Sequence, residues 1–365
     1  MEYDGSFRLF DPSRIRTYPL RVRSNKVGME QFVDCAQLRG SEVAVADPRC
    51  LGLREKLTSL AHAVAEAHRA RRPVILQTGA HSIKNGLSPI WIDLMERGIV
   101  TLVATNFAAA IHSFELALTG ASSESVDQVL PKGEFGMAFE TGAYLNQAMI
   151  EGHRRAWGLG ESIGRLFSDD AFRRCVLAAA LEDVADAAHY YAPYDGFPYA
   201  STCLFSRATE LGVPLTVPAM IGTDITDQHP SFDGEAKGGT SARDFLIYTE
   251  EIGRLTHGGV VLNVGTAVMG PEVLLKAVSM VTNQGRPPRG IVTGDFDIRP
   301  FAFDDTVRDE GQYYYYLRDQ KTIATRLPRV FGGAGYYIAG EQTHTVPAFY
   351  QLLMRELDAG SDTAT

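Results

Sequence analysis

The chain has 365 residues, of which 45% are hydrophobic and 22% charged, with a formal net charge of -9. This is ordinary globular composition, and the acidic balance without a long basic run speaks against nonspecific nucleic-acid binding. No tract is long and apolar enough to span a bilayer. The opening MEYDGSFRLF carries two acids in its first four residues and no apolar region, which argues against a secretory signal and for a cytoplasmic protein. Cys35, Cys50, Cys175 and Cys203 form no CxxC. Neither a disulfide framework nor a zinc site is indicated, reduced buried thiols are expected, and no metal is assigned.

Residues 1–50 lack a clean period and contain Pro12, Pro19 and Pro48. They read as an irregular N-terminal arm with room for a short helix, suited to wrapping a neighbouring subunit. Residues 51–358 read as a single α/β domain and 359–365 as a mobile tail. From Leu51 to Arg69, Leu53, Leu57, Leu60, Ala61, Val64 and Ala65 fall on one stripe, which predicts an amphipathic helix. Val74 to Gln77 predicts a buried strand ending in the turn Thr78-Gly79-Ala80, where His81, Ser82, Lys84 and Asn85 crowd before Gly86. Leu87, Ile90, Trp91, Leu94 and Met95 then recur at helical spacing until Gly98. Ile99 to Ala104 predicts the next strand, ended by Thr105-Asn106, and the helix that follows carries His112 and Glu115.

Two strands that each end in a small, polar turn at a helix start suit an anionic or nucleotide ligand. Small residues admit the backbone, and helix N-termini offer free N–H groups. Ligands of open parallel sheets gather beyond the carboxyl ends of the strands, so Thr78, His81, Asn106 and His112 are expected in one crevice. Ordinary βα turns favour the same residues for conformational reasons.

Downstream, a polar loop leads to a helix from Thr141 to Ala156, and Glu124 and Glu140 take structural roles near helix starts. Two helical stretches between Asp169 and Leu211 flank AHYYAPYDGFPYAST, an aromatic insert that suits either a pocket wall or a connection packed on the core. Val213 to Val217 predicts a third strand, followed by Asp224, Asp227, His229 and Asp233. Their spacing matches no metal signature, and an acid beyond a strand suits a ribose hydroxyl or a substrate ammonium. A helix from Thr240 to Thr256, a strand from Val260 to Val264 and a turn Gly265-Thr266 before a helix at Pro271 repeat the pattern. Ile291 to Thr293 predicts a strand ending in GDFD. Tyr313 to Tyr316 lie in a looser region, a strand falls within FGGAGYYI, and Val346 to Leu357 predicts the last helix. The alternation implies a parallel sheet with helices on both faces, a Rossmann-like α/β fold.

Several of these segments together resemble the deoxyhypusine synthase superfamily. TGAHSIKNGL resembles that family's first phosphate-side turn, and VTLVATNFAAAIHSFELAL occupies the place of its Val-Leu-Val-Thr-Thr-Ala-Gly-Gly segment. VPLTVPAMIGTD is similar to its Ile-Pro-Val-Phe-Ser-Pro-Ala-Leu-Thr-Asp, VVLNVGTAVMGPEVLLKAVSM to its Gly-Gly-Gly strand and helix, and IVTGDFD falls where it has Asn-Thr-Ala-Gln-Glu-Phe-Asp. The resemblance is colinear over residues 74–355. It implies a bound NAD and a homotetramer with active sites between subunits. Carried over by position, Thr78, Gly79, Ala80, Thr105, Asn106, Asp224, Gly265, Thr266, Thr293, Gly294 and Asp295 become the cofactor contacts. His112, Lys84, Glu115, Asp227 and Asp297 become the catalytic candidates beside an amine substrate. The chain departs from the family in lacking the Trp-Gly-Lys motif whose lysine holds an aminobutyl group as an imine. Lys321 and Arg326 are the nearest basic residues, and the family's paired histidines are replaced around Gly270-Pro271-Glu272. QTGAHS and AIHSFE also echo NAD-containing ornithine cyclodeaminases of the same fold.

What the resemblance implies is an NAD-dependent enzyme of polyamine type, oxidising an amine to an imine and transferring the aminoalkyl group to a second amine. An amino-acid or amine oxidoreductase or deaminating cyclase keeps the cofactor but ends the reaction differently. Loss of the lysine leaves a third reading, an inactive nucleotide-binding relative.

Overall fold

The computed structural model describes residues 4–43, 52–182, 184–299 and 322–361. Cys50, Tyr313 to Tyr316, Lys321 and residues 362–365 of the expected tail lie outside the described residues. Short apolar runs make the strands β1 (Val27–Gly28), β2 (Val74–Thr78), β3 (Leu102–Thr105), β4 (Ala121–Ser122), β5 (Leu215–Thr216), β6 (Val260–Val264), β7 (Val292–Asp297) and β8 (Ala334–Ala339). Six of them form one sheet in the order β5-β3-β2-β6-β7-β8, and every pair in it is parallel. Counted along the chain, this is the doubly wound order 3-2-1-4-5-6, whose direction reverses between β2 and β6.

β2 and β6 are buried at every residue, as strands covered on both faces must be. Their alternation divides the interior in two. Val74, Leu76, Val260 and Leu262 join the larger core, with the helices Leu53–Arg69 and Phe107–Thr119. Ile75 and Val261 join the smaller one, with Tyr248, Ile252 and Leu274 from the helices Gly234–Ile252 and Met269–Asn283.

Several boundaries differ from expectation for local reasons. The polar stretch after Gly79 folds into a short helix, Ala80–Lys84, before a second one, Ser88–Glu96. The segment Gly234–Gly239, expected as loop, opens the long helix because the Asp233 side chain caps it by accepting from Ala236 N at 2.9 Å. That change puts Lys237 on a buried helical face. A helix over Leu159–Ser168 was not expected. The GDFD segment continues β7 to Asp297 rather than turning after Thr293, so Thr293, Gly294 and Asp295 are strand residues. The final helix, Gln342–Ser361, starts earlier and runs past residue 358.

The described part of the arm fastens onto its own chain. Tyr18 pairs with the Met137–Phe139 segment through Tyr18 N–Met137 O at 3.0 Å and Phe139 N–Tyr18 O at 2.8 Å. Leu20 is 1% exposed, and β1 pairs antiparallel with β4. The buried Glu140 carboxylate accepts from Leu20 N at 2.7 Å and from Tyr191 N at 2.9 Å, tying the arm to the aromatic insert. That insert packs on the core, with Phe197 against Phe114 at 5.7 Å between ring centroids.

Candidate functional site

The strand order changes direction between β2 and β6, and beyond their carboxyl ends the chain narrows to glycine. Gly79 N donates to Val264 O at 3.1 Å, and a Cβ on Gly79 would stand 2.4 Å from the Gly265 carbonyl oxygen. Gly265 itself takes φ +62°, the left-handed region that glycine enters without cost. The crevice above is lined by Gln77, Thr78, Thr105, Asn106, Thr266 and Gly270. Two helices start at its edge. Asn106 caps Phe107–Thr119 by accepting from Ala109 N at 3.0 Å, and Thr266 Oγ1 accepts from Gly270 N at 3.0 Å at the start of Met269–Asn283.

A buried polar row crosses the sheet below this crevice. Gln77 pairs in register with Asn263, and Asn263 with Asp295. Asn263 Nδ2 donates to Asp295 Oδ1 at 2.8 Å and to Thr266 O at 3.1 Å, while Gln77 Nε2 donates to Gly270 O at 3.0 Å. Gln77 Oε1, Asn263 Oδ1 and Asp295 Oδ2 are left without a partner among the described residues. Burial pushes the Asp295 carboxyl up to about 7, against the Asn263 hydrogen bond.

For a dinucleotide this crevice offers the reversal point of a doubly wound sheet, a glycine contact, two helix N-termini and an unpaired buried acceptor at Gln77. The G-x-G-x-x-G fingerprint is incomplete, since His81 stands two residues after Gly79, and Asn106 rather than an acid follows β3. The free volume is about 20 Å³, room for about one water. The residue chemistry fits a dinucleotide, while the crevice as it stands is far smaller than one.

A second cavity, of about 280 Å³, is lined by Arg23, Lys84, His112, Glu115, Glu124 and Asp224. Three of the expected catalytic residues thus meet here, with Asp224, while Thr78, Thr105, Asn106 and Thr266 line the separate crevice. His112 Nδ1 lies 2.6 Å from Ser122 Oγ, and Ser122 Oγ donates to Glu115 Oε2 at 2.6 Å. Arg23 grips both oxygens of Glu115, Nη1 to Oε1 at 2.8 Å and Nη2 to Oε2 at 2.6 Å. Thr141 Oγ1 adds a hydrogen bond to Glu115 Oε1 at 2.8 Å. Burial alone would raise the Glu115 carboxyl, but the Arg23 guanidinium outweighs it and holds the group below its ordinary value. Burial pushes His112 down to about 4, with Lys84, Arg23 and His81 adding to it and Glu115 opposing. His112 is therefore a neutral imidazole at pH 7. Burial, then Lys26, lowers Lys84, and no acid lies within ion-pair distance of Lys84 among the described residues. Glu124 accepts from Gly136 N at 2.9 Å, and burial raises it against the pull of Arg23.

The remaining expected residues sit elsewhere. Asp227 turns to the fully buried Lys237, whose Nζ donates to Asp227 Oδ1 at 2.5 Å and to Asp224 Oδ2 at 2.8 Å. Asp227 Oδ2 also accepts from Gly222 N at 2.7 Å, so this residue braces the loop. Asp297 is held by its neighbour Arg299, whose Nε and backbone N each donate to Oδ1 at 2.9 Å, and it does not line the His112 cavity. Thr293 Oγ1 donates to Ile323 O at 2.7 Å, and Gly294 lies against Leu60, where a Cβ would approach Cδ2 to 2.4 Å. Neither turns into the crevice. Ala80 is buried at the start of its short helix.

Sequence reasoning gives no role in the site to Arg23, Ser122, Lys237, Gln77 or Asn263. A signal existed for two of them, because Gln77 and Asn263 are lone amides at matching places in the apolar runs VILQT and VVLNV, and a polar side chain inside a buried strand needs a partner.

No protein-family model and no curated protein matches the chain. Among solved structures it is similar to apo ArgZ, an arginine dihydrolase from the ornithine-ammonia cycle in cyanobacteria, at 14% identity and TM-score 0.40, over 83% of this chain and 32% of that one. It is similar to AgrE in a ternary complex with ornithine and NAD+, at 11% identity and TM-score 0.45, over 87% and 34%. A conserved LOR/SDH protein from Methanococcus maripaludis S2 follows at 14% identity and TM-score 0.40, over 88% and 73%. The chain spans about a third of the length of ArgZ and AgrE. The α/β assignment rests on the chain's own parallel sheet and its strand order.

Proposed function

We propose that this chain is an NAD-dependent enzyme that oxidises a small amino acid at the carbon bearing its amine, releasing the amine by hydrolysis of the resulting imine. The observation that carries this reading is the His112 cavity, where a neutral imidazole, a lysine with no acid partner among the described residues and the carboxyl groups of Asp224 and Glu124 line one space of about 280 Å³. Thr78, Gly79, Ala80, Thr105, Asn106, Gly265 and Thr266 at the strand ends, with Asp295 beneath them, would hold NAD, which supplies a hydride acceptor when bound. Lys84 takes the substrate carboxylate as a point charge. Asp224 and Glu124 supply the negative charge that a substrate ammonium needs. His112 Nε2 accepts the proton that the ammonium loses as its carbon is oxidised.

The deoxyhypusine synthase-like alternative, aminoalkyl transfer from a polyamine to a second amine, rests on the colinear sequence resemblance. It asks for a lysine nucleophile, and Lys84 is the lysine that lines the cavity. The two readings part on the substrate carboxylate. Purified protein is given NAD with lysine or ornithine and, separately, with cadaverine or putrescine, and NAD reduction and the products are followed spectroscopically and by mass. Oxidation of the amino acids, with Lys84→Met raising their KM about ten- to a hundredfold, is the expected result. Turnover of the diamines alone, abolished by Lys84→Met, would overturn it in favour of transfer.

A further inference from the structure

We propose that Ser122, held in place by the N-terminal arm, is the positioning residue that fixes the proton of His112 on Nδ1 and thereby presents an unprotonated Nε2 to the cavity. What Nε2 then does rests on the function proposed above; where the proton sits does not. The argument is one of hydrogen-bond direction. A carboxylate only accepts, and Arg23 holds Glu115 ionised with two guanidinium contacts. The single O–H of Ser122 is therefore committed to Glu115 Oε2, 2.6 Å away. Its oxygen can meet His112 Nδ1, also at 2.6 Å, only as an acceptor, so Nδ1 carries the hydrogen. Nε2 has no partner among the described residues and belongs to the ring that lines the cavity.

The serine cannot turn away to water, since it is completely buried. Nor can its strand drift. β4 is only two residues long, and it is held by pairing with β1 of the arm, Val27 opposite Ser122. Lys26 N donates to Ser123 O at 2.8 Å and Met29 N to Gly120 O at 3.1 Å on either side. Ser123 takes φ 70°, a left-handed conformation that a non-glycine residue holds only when its surroundings impose it. The titratable groups facing the imidazole are Glu115 on its own helix, Lys84 and His81 from the short helix Ala80–Lys84, and Arg23 from the arm. Three of these oppose a second proton, and Glu115, through Ser122, steadies the imidazolium once Nε2 has taken one. No proton needs to move along the chain of bonds.

Nitrogen NMR of ring-labelled protein tests this, with His112 assigned by comparison with His112→Gln. The wild type is expected to carry its proton on Nδ1 at neutral pH. Ser122→Thr should keep that tautomer, and Ser122→Ala should move the population toward Nε2–H. In the amino-acid assay, Ser122→Ala should lower kcat at least about tenfold, the low edge of what a positioned base contributes, with KM changed far less and Ser122→Thr restoring most of the rate. A wild-type ring protonated on Nε2, or a tautomer indifferent to Ser122→Ala, overturns the proposal. Should Ser122→Ala fail to fold, the wild-type and Ser122→Thr spectra decide alone. If no amine is oxidised while the tautomers behave as stated, the functional reading fails and this one stands.

Discussion

Gly79 and Gly265 close the seam between the two halves of the sheet, with so little space that a Cβ on residue 79 would stand 2.4 Å from the Gly265 carbonyl oxygen. Gly79 lies at φ -90°, a backbone open to any residue, so an alanine there is opposed by contact alone. We predict that Gly79→Ala folds but loses about 1–3 kcal/mol, the usual cost of forcing extra atoms into a packed site. Urea unfolding measures the loss, and calorimetry with NAD should show binding weakened in parallel. A variant of unchanged stability and NAD affinity would remove the seam from the cofactor argument.

Lys237→Met is expected to be among the most damaging single changes. The lysine is fully buried between Asp224 and Asp227, and its ammonium stands 4.9 Å from the centre of the Phe107 ring. Removing the cation strands two carboxylates, and breaking a buried pair costs about 3–5 kcal/mol. The triple variant with Asp224→Asn and Asp227→Asn should recover part of that loss, which chemical denaturation of the three proteins would reveal.

Asp295 gives the fold a pH dependence of known sign. Its folded value, pushed up to about 7 by burial, lies above the ordinary 3.8. The unfolded chain therefore ionises first, and the stabilisation present below 3.8 is lost as pH rises through about 7. Asp295→Asn lacks this dependence. Its stability relative to the wild type should climb across that window and level off above it. A flat difference from thermal unfolding at stepped pH would count against a protonated buried Asp295.

His112→Ala should fold, retain NAD and lose at least about tenfold in turnover, a threshold at the low edge of general-base contributions. Because His112 lies at about 4, its Nε2 stays available above that pH, and the acid limb of the wild-type rate should fall near pH 4 rather than at the 6.5 of an unperturbed imidazole. Replacing Glu115 by Gln removes the charge that opposes the depression and should move the limb lower still, at a cost in stability from the stranded Arg23.

A homotetramer remains the expected assembly from the family resemblance. Sedimentation at micromolar concentration checks it directly, and a monomer would remove the subunit-spanning site from consideration.

How much of this was legible from residues alone divides along sequence distance. The βα units were readable because VILQT, IVTLVAT and VVLNV carry their burial in their own composition, and small turns mark their ends. Thr78, Thr105, Asn106 and Thr266 came with them, since a residue at a strand's carboxyl end needs only the strand to place it. The His112 cavity was half legible. His112 and Glu115 lie three residues apart on one helix, but Arg23 reaches Glu115 across 92 residues, and nothing in RVRSNK announces that contact. Asp227 and Asp297 lie outside the His112 cavity for a related reason. The acids are visible in the sequence, while nothing in it pairs them with Lys237, on a buried helical face, or with Arg299, just past the end of β7.

The tethering of the arm has a consequence for how the protein is made. Arg23 leaves the ribosome long before Glu115, and Leu20 longer before Glu140, its partner across 120 residues. Loop closure over such spans adds little free energy, yet contacts so distant in sequence form slowly. We expect the wall that holds Ser122 to be completed after the helix bearing His112 has its shape. Pulse-labelled hydrogen exchange during refolding should find the Phe107–Thr119 amides protected first and the Val27–Ser122 pair last, so that the His112 cavity is closed only as the final event of folding.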